Sequence, residues 1–84
     1  MILRFFSDAG HGWLEVPKQM VRDLGIWDKV SQFSFHKGDF AYLEEDCDAG
    51  LVMQVLADKG IDFAFDEINH GDESPIRHYK YWGE

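Results

Sequence analysis

The sequence consists of short bulky apolar runs separated by glycine-containing turns, and this pattern restricts the chain to a small fold of short strands and helices. Residues 1–7 and 13–16 are rich in bulky side chains, and residues 8–12 between them hold two glycines and an aspartate. Runs of about four to eight bulky residues bounded by glycine and aspartate are typical of β-strands. The start of the chain is therefore predicted to form a β-hairpin.

Helical spacing follows this hairpin. Pro17 suits the first position of a helix, because it lacks an N–H group that would have no partner there. Met20, Val21 and Leu24 then recur at helical spacing. This pattern predicts a short amphipathic helix over residues 17–24.

A similar unit comes next in the chain. Residues 32–37 and 40–44 predict two strands around a glycine turn, and an apolar stripe at helical spacing predicts a helix over residues 48–59. Residues 61–68 place Ile61, Phe63 and Phe65 on one face and Asp62, Ala64 and Asp66 on the other, which predicts a further strand. Residues 74–82 fit either a last edge strand or an irregular aromatic tail.

These elements predict a single α+β domain over residues 1–84. We expect a small antiparallel sheet of four to five strands with two helices on one face, in the order β-β-α-β-β-α-β. The predicted core combines the apolar positions of these elements: Leu3, Phe5, Leu14, Val16, Val21, Leu24, Phe33, Phe35, Leu51, Val55, Leu56, Phe63 and Phe65.

The charge of the chain is concentrated in its second half. The formal net charge is −8, but residues 39–76 alone hold eleven acids against one base, Lys59, which gives −10. Residues 1–38 hold four acids and five bases and sum to +1. The sequence therefore predicts a strongly negative surface, provided that the acids of the second segment share a face.

A negative surface favours basic protein partners and disfavours nucleic acids and anionic membranes. We expect a basic protein surface as partner, with no direct binding to nucleic acid or to a membrane. An acidic surface that serves only solubility is the competing interpretation. The residues predicted to form the acidic face are Glu44, Glu45, Asp46, Asp48, Asp62, Asp66, Glu67, Asp72 and Glu73.

Asp62 and Asp66 lead to a more specific hypothesis. Alternate residues of a strand lie about 6.6 Å apart on one face, a spacing similar to that of phosphates along a DNA strand. Outward carboxylates at this spacing would imitate a phosphate backbone. The chain would then act as a nucleic-acid mimic that inhibits a DNA- or RNA-handling protein, or a protein of host defence.

The stretch from Glu44 to Asp48 holds four carboxylates in five positions and supports an alternative function, a small metal-binding or hydrolytic domain. Its match to a calcium loop fails, because the glycine comes one place early and Ala57 stands where a bidentate glutamate is needed. Cys47 has no Cys-His pattern beside it, and the four histidines lack HxxxH spacing. No catalytic residue, metal ligand or cofactor is predicted, and a non-enzymatic role is favoured.

An aromatic tail offers a second interaction surface. The residues in question are Arg77, Tyr79, Tyr81 and Trp82. Arginine and large aromatic residues are enriched at the centres of protein interfaces, although packing over the sheet is the competing interpretation. A third function class is a structural or assembly subunit that self-associates through Trp27 or this tail.

Three segments carry a resemblance to other proteins. The strings FFSDAGHGWLEVP (residues 5–17), GDFAYLEEDCDAG (38–50) and SPIRHY (74–79) resemble a group of small uncharacterised proteins found in bacteria, phages and mobile elements. The resemblance implies no activity and no site residues. Because short acidic proteins of mobile elements include inhibitors of restriction and CRISPR systems, it favours the mimic hypothesis by analogy.

Cysteine usage and hydropathy indicate the cellular compartment of the protein. One cysteine excludes an internal disulfide framework. No apolar run approaches the roughly 18 residues of a membrane span. We expect a soluble cytoplasmic domain.

Overall fold

A computed structural model describes all residues from Met1 to Glu84. The strands are β1 (Ile2–Ser7), β2 (Gly12–Pro17), β3 (Phe35–Lys37), β4 (Phe40–Glu44), β5 (Ala64–Asn69) and β6 (Lys80–Tyr81). The helices are α1 (Lys18–Asp23) and α2 (Ala49–Asp58), with short 3-10 turns at Trp27–Lys29 and Pro75–His78. Neither helix has the length and apolar character needed to span a lipid bilayer.

The six strands form one sheet in the order β5-β1-β2-β4-β3-β6. The α+β class is confirmed, but the predicted number of four to five strands and the predicted element order are wrong. The additional strand is β6, which pairs with β3 opposite Phe35 and His36. The backbone N–H of Trp82 donates to the carbonyl of Ser34 at 2.9 Å, and this bond holds the end of the chain beside β3.

β5 pairs with β1 in parallel, whereas a wholly antiparallel sheet was predicted. β2 runs antiparallel to β1, and β4 runs antiparallel to β2, so β1 and β4 point the same way. α2 carries the chain back across the sheet after β4, and β5 therefore runs in the direction of β4 and β1. Parallel pairing needs a crossover of this kind. The alternation of residues 61–68 predicts a strand but not its neighbour.

Apolar side chains form one cluster on each face of the sheet. The first cluster joins both helices to the sheet and includes Val16, Val21 and Leu56. The second lies on the other face beneath the Pro75–His78 turn, and it consists of Phe6, Trp13, Phe35, Tyr42 and Ile76. Alternation along β2 explains the division, because Val16 faces the helices while Glu15 and Trp13 face the C-terminal segment.

Two aromatic residues predicted for the core are exposed. Phe33 is 62% exposed because it lies before β3, in a turn where the hydroxyl of Ser31 accepts its backbone N–H at 3.2 Å. Phe65 is 38% exposed because β5 is an edge strand with a neighbour on one side only.

Candidate functional site

The acidic residues of the predicted face divide into exposed and buried groups. Two of the nine, Glu44 and Asp48, are buried, and their predicted place on an exposed face is wrong. The other seven are exposed: Glu45, Asp46, Asp62, Asp66, Glu67, Asp72 and Glu73.

Glu44 is buried because it closes the turn between β4 and α2. Its Oε2 accepts the backbone N–H groups of Asp46 and Cys47, each at 3.0 Å. Trp13 lies directly opposite on β2, which places the Glu44 side chain on the sheet face covered by the C-terminal segment. The carboxylate therefore organises a turn inside the protein.

Asp48 is buried because it holds the loop before β3. Its carboxylate accepts the backbone N–H of Ser31 at 3.1 Å and the Ser31 hydroxyl at 2.7 Å, and the Ser34 hydroxyl donates to the same oxygen. The Ser34 hydroxyl in turn accepts the backbone N–H of Glu44 at 3.0 Å. Asp48 occupies the position before α2, but its side chain makes no cap bond to the helix. It joins two segments that are distant in sequence.

β5 lies within a strongly acidic segment of the chain. It is the first strand of the sheet, and it pairs only with β1. Residues 60–76 contain five acids, all exposed, and no lysine or arginine. An unpaired strand edge and an acidic segment without lysine or arginine therefore coincide.

The carboxylates along β5 do not all point to the same side. Asp66 pairs with Arg4 and Glu67 pairs with Phe5, and successive side chains of a strand point to opposite faces. Arg4 lies beside Asp66 but is bound to Glu15, with Nη2 at 2.6 Å and Nε at 2.8 Å from Oε1. Asp66 consequently forms no ion pair.

The other end of the sheet is basic. A shallow depression beside β3 and β6 is lined by three lysines and two histidines: Lys18, Lys37, Lys80, His36 and His78. A group of basic side chains therefore lies near the β6 edge, and the acidic segment of residues 60–76 includes the β5 edge.

Three carboxylates at the start of the β4–α2 turn lie close together. Ligand oxygens of Glu44, Glu45 and Asp46 lie within 4.8 Å of one another. Oxygen donors of this kind suit Ca²⁺, Mg²⁺ or Mn²⁺. The group consists of carboxylates alone.

Cys47 is exposed beside these acids. A hydrogen bond to Glu44 raises the pKa of the thiol, and burial and the neighbouring carboxylates act in the same direction. Since the thiolate is the reactive form of cysteine, this environment opposes nucleophilic chemistry.

The four histidines make separate contacts. His11 Nδ1 lies 3.5 Å from Glu44 Oε1, and His36 Nε2 lies 3.0 Å from the carbonyl of Glu84. The other two bind the loop before Pro75, His70 to the Ser74 hydroxyl at 2.7 Å and His78 to Glu73 at 2.9 Å.

Asp8 is the buried anchor of the C-terminal segment. Arg77 binds its carboxylate with two bonds, and the backbone N–H groups of Ser74, Gly10 and His11 add three more. The Arg77 hydrogen bond is the main reason that the pKa of Asp8 lies well below its ordinary value, and the backbone bonds contribute in the same direction against the effect of burial.

The aromatic tail packs on its own chain. Tyr79 lies 5.1 Å from the Tyr42 ring, and Trp82 lies 4.5 Å from Trp27, between ring centroids. Tyr81 stacks on Phe35 and keeps 53% of its surface exposed. Of the predicted tail residues, Arg77 is held by Asp8, so Tyr81 alone presents a large exposed aromatic surface.

The sequence predicts only a turn at Asp8. The turn signal was sound, because Asp8 Oδ1 accepts the N–H groups of Gly10 and His11, both at 3.0 Å. Its second role depends on Arg77, which lies 69 positions away in the chain. A lone arginine in a polar segment gives no signal for that pairing.

Comparisons with protein-family models, curated proteins and solved structures gave no match for this chain.

Proposed function

We propose that this chain is a non-enzymatic protein-interaction module that binds a basic, extended protein segment along the outer edge of β5. One observation carries the proposal. An unpaired strand edge lies within a segment, residues 60–76, that has five exposed acids and no lysine or arginine.

The backbone of β5 supplies hydrogen bonds for such a segment. The N–H groups of Ala64 and His70 donate to carbonyls at the two ends of the β1 segment, at 2.9 and 2.7 Å. Because alternate residues of a strand direct their N–H groups to opposite sides, those of Phe65, Glu67 and Asn69 face away from β1. An added strand can pair with these groups, as peptides do when they extend a sheet.

The charges around this edge select the partner. Exposed carboxylates attract lysine- and arginine-rich segments, accelerate the encounter and fix its orientation. The same carboxylates oppose edge-to-edge pairing of two β5 strands, because like charges would meet. A basic segment is therefore the complementary occupant.

Nucleic-acid mimicry, the more specific hypothesis, has less support. Glu44 and Asp48 are buried, and Asp66 and Glu67 point to opposite sides of the sheet. The carboxylates thus do not form one phosphate-like row. A basic protein segment is therefore the partner that this charge distribution supports.

Peptide binding tests the proposal. The probe is a synthetic peptide of alternating lysine and valine, measured by calorimetry at about 0.02 M and about 0.5 M salt. The control peptide has the same sequence but carries N-methyl groups on alternate backbone amides, which block strand pairing and keep the charge. We expect binding of the first peptide, at least about tenfold weaker binding at high salt, and negligible binding of the control. Equal binding of both peptides would overturn the strand-pairing part of the proposal.

Matched charge reversals locate the binding surface. The test variant is Asp66→Lys/Glu67→Lys, and the control is Asp28→Lys/Asp39→Lys, which alters the net charge equally at exposed positions away from β5. We expect the first variant to abolish peptide binding and the second to weaken it only slightly. Equal losses would mean that net charge alone attracts the peptide.

Divalent metal binding is the second candidate function, because the ligand oxygens of Glu44, Glu45 and Asp46 lie within 4.8 Å of one another. Calorimetry with CaCl₂ and MnCl₂ distinguishes the two functions. A stoichiometric site that is lost in Glu45→Gln would support the metal function, whereas the peptide-binding function requires no metal.

A further inference from the structure

We infer that a cleft beside the β4–α2 turn binds a small uncharged planar heterocycle that carries an N–H group next to a carbonyl group, the lactam edge of a pyrimidine or purine-type ring. The cleft has a volume of about 390 Å³, within the usual range of small-molecule sites, roughly 300–1,000 Å³. It is separate from the β5 edge, so this inference does not depend on peptide binding, and it shares Glu44 and Asp46 with the carboxylate group considered for divalent metals.

Two buried polar groups in this cleft lack partners. The indole N–H of Trp13 and Oε1 of Glu44 make no hydrogen bond within the protein, although the two residues are only 1% and 6% exposed. Both residues line the cleft. Each of the two atoms exposes less than 1 Å². A buried polar group without a partner is unfavourable, so a ligand that pairs with both groups, after a small shift of the side chains that cover them, gains from each.

The two groups are one donor and one acceptor on neighbouring strands. Trp13 and Glu44 lie directly opposite each other on β2 and β4, with side chains on the same face of the sheet. Cβ atoms of such pairs are about 5 Å apart. One donor beside one acceptor is complementary to a carbonyl next to an N–H group on a single ring edge.

The walls of the cleft suit a flat ring. Phe35 and Tyr81 stack with centroids 5.0 Å apart, and Phe33, which is 62% exposed, lines the same cleft. The Arg77 guanidinium lies 5.5 Å from the centre of the Trp13 ring and closes the inner side. Flat aromatic surfaces of this kind stack on planar heterocycles.

The charges of the cleft exclude other ligand classes. Arg77 is already paired with Asp8, whereas Glu44 and Asp46 leave carboxylates along the cleft, so an anion such as a phosphate ester is repelled. A cation would satisfy Glu44 but leave the Trp13 N–H without an acceptor. His11 Nδ1, 3.5 Å from Glu44 Oε1, is too distant for a hydrogen bond of normal length.

The test follows the indole N–H signals of the three tryptophans by NMR in buffer with EDTA, which removes divalent metals. The probes are uracil and hypoxanthine, and Trp27→Phe and Trp82→Phe identify the Trp13 signal by elimination. We expect the Trp13 signal alone to move and to saturate. Uridine monophosphate, which adds a phosphate to uridine, should bind at least about tenfold more weakly than uridine.

A methylated ring and three variants provide the controls. 1,3-Dimethyluracil lacks an N–H group and should bind at least about tenfold more weakly than uracil. Glu44→Gln keeps an oxygen that accepts the Asp46 and Cys47 N–H groups, and it should weaken uracil binding about tenfold. Phe33→Ala should also weaken uracil binding, whereas Phe65→Ala should not. No movement of the Trp13 signal at millimolar probe, or equal affinity for uracil and 1,3-dimethyluracil, would overturn the inference.

Discussion

Asp8 and Arg77 lie 69 positions apart in the chain, and the Arg77 side chain binds the buried Asp8 carboxylate through Nε and Nη2, the latter at 2.7 Å from Oδ1. The pair fastens the C-terminal segment to the β1–β2 turn. Paired, planar bonds between arginine and a carboxylate are among the stronger polar contacts in proteins. The position of the Pro75–His78 turn over the second apolar cluster depends on this contact.

We expect Asp8→Asn to destabilise the fold strongly. The substitution keeps the shape of the side chain and one acceptor oxygen, but it removes the charge that binds Arg77 and puts an NH₂ donor where Oδ2 accepts the Ser74 N–H and the Arg77 Nε–H. Breaking one partner of a buried pair costs about 3 kcal/mol. Urea unfolding followed by tryptophan fluorescence measures the change. Asp72→Asn, an exposed acid of the same segment, is the matched control and should change stability by less than about 0.5 kcal/mol.

Acid should unfold the protein partly through Asp8. Its pKa is lowered in the folded state from an ordinary value of 3.8, so the unfolded chain takes up the proton first as the pH falls. The contribution of Asp8 is thus fully present above about pH 5 and declines progressively below about pH 4. We expect the free energy of unfolding to fall more steeply between pH 5 and pH 2 in the wild type than in Asp8→Asn. Parallel curves would contradict the account.

Asp48→Asn should destabilise the loop that leads into β3. Its amide group would place an N–H donor against the donors of Ser31 and Ser34. Leaving buried donors without an acceptor costs about 1–3 kcal/mol. Asp46→Asn, two positions earlier and exposed, is the control. If both variants unfolded at the same urea concentration, the structural role proposed for Asp48 would be contradicted.

The thiol of Cys47 should react slowly with iodoacetamide at neutral pH. The hydrogen bond to Glu44 raises the pKa of the thiol, so little thiolate is present. Glu44→Gln removes the negative acceptor and should lower the pKa, which increases the alkylation rate at pH 7.5. A rate unaffected by Glu44→Gln, across a pH series up to pH 10, would show that this contact does not control the thiol.

Local patterns predicted the elements whose signals are local. The strand predicted over residues 40–44 is β4, Phe40–Glu44, and the helix predicted over residues 48–59 is α2, Ala49–Asp58. The helix has an apolar stripe at 3.6-residue spacing, and the strand is a short bulky run that follows a glycine turn. Glycine and Asx residues likewise marked the turn at Asp8.

Contacts between distant segments escaped prediction. The parallel pairing of β5 with β1 depends on the path of α2, and alternation within a strand does not name its neighbour. The burial of Glu44 and Asp48 depends on Trp13, Ser31 and Ser34, which lie elsewhere in the chain. Acidic composition alone suggested that both carboxylates are exposed. The cleft beside Trp13 and Glu44 also forms only when β2, β4 and the C-terminal segment meet.

Hydrogen–deuterium exchange of individual β5 amides, with and without the lysine–valine peptide, tests the central claim most directly. We expect the outward N–H groups of Phe65, Glu67 and Asn69 to become protected when the peptide binds, and the protection to disappear in Asp66→Lys/Glu67→Lys. Protection elsewhere on the sheet, or binding without any protection of β5, would contradict the proposal that this edge is the interaction site.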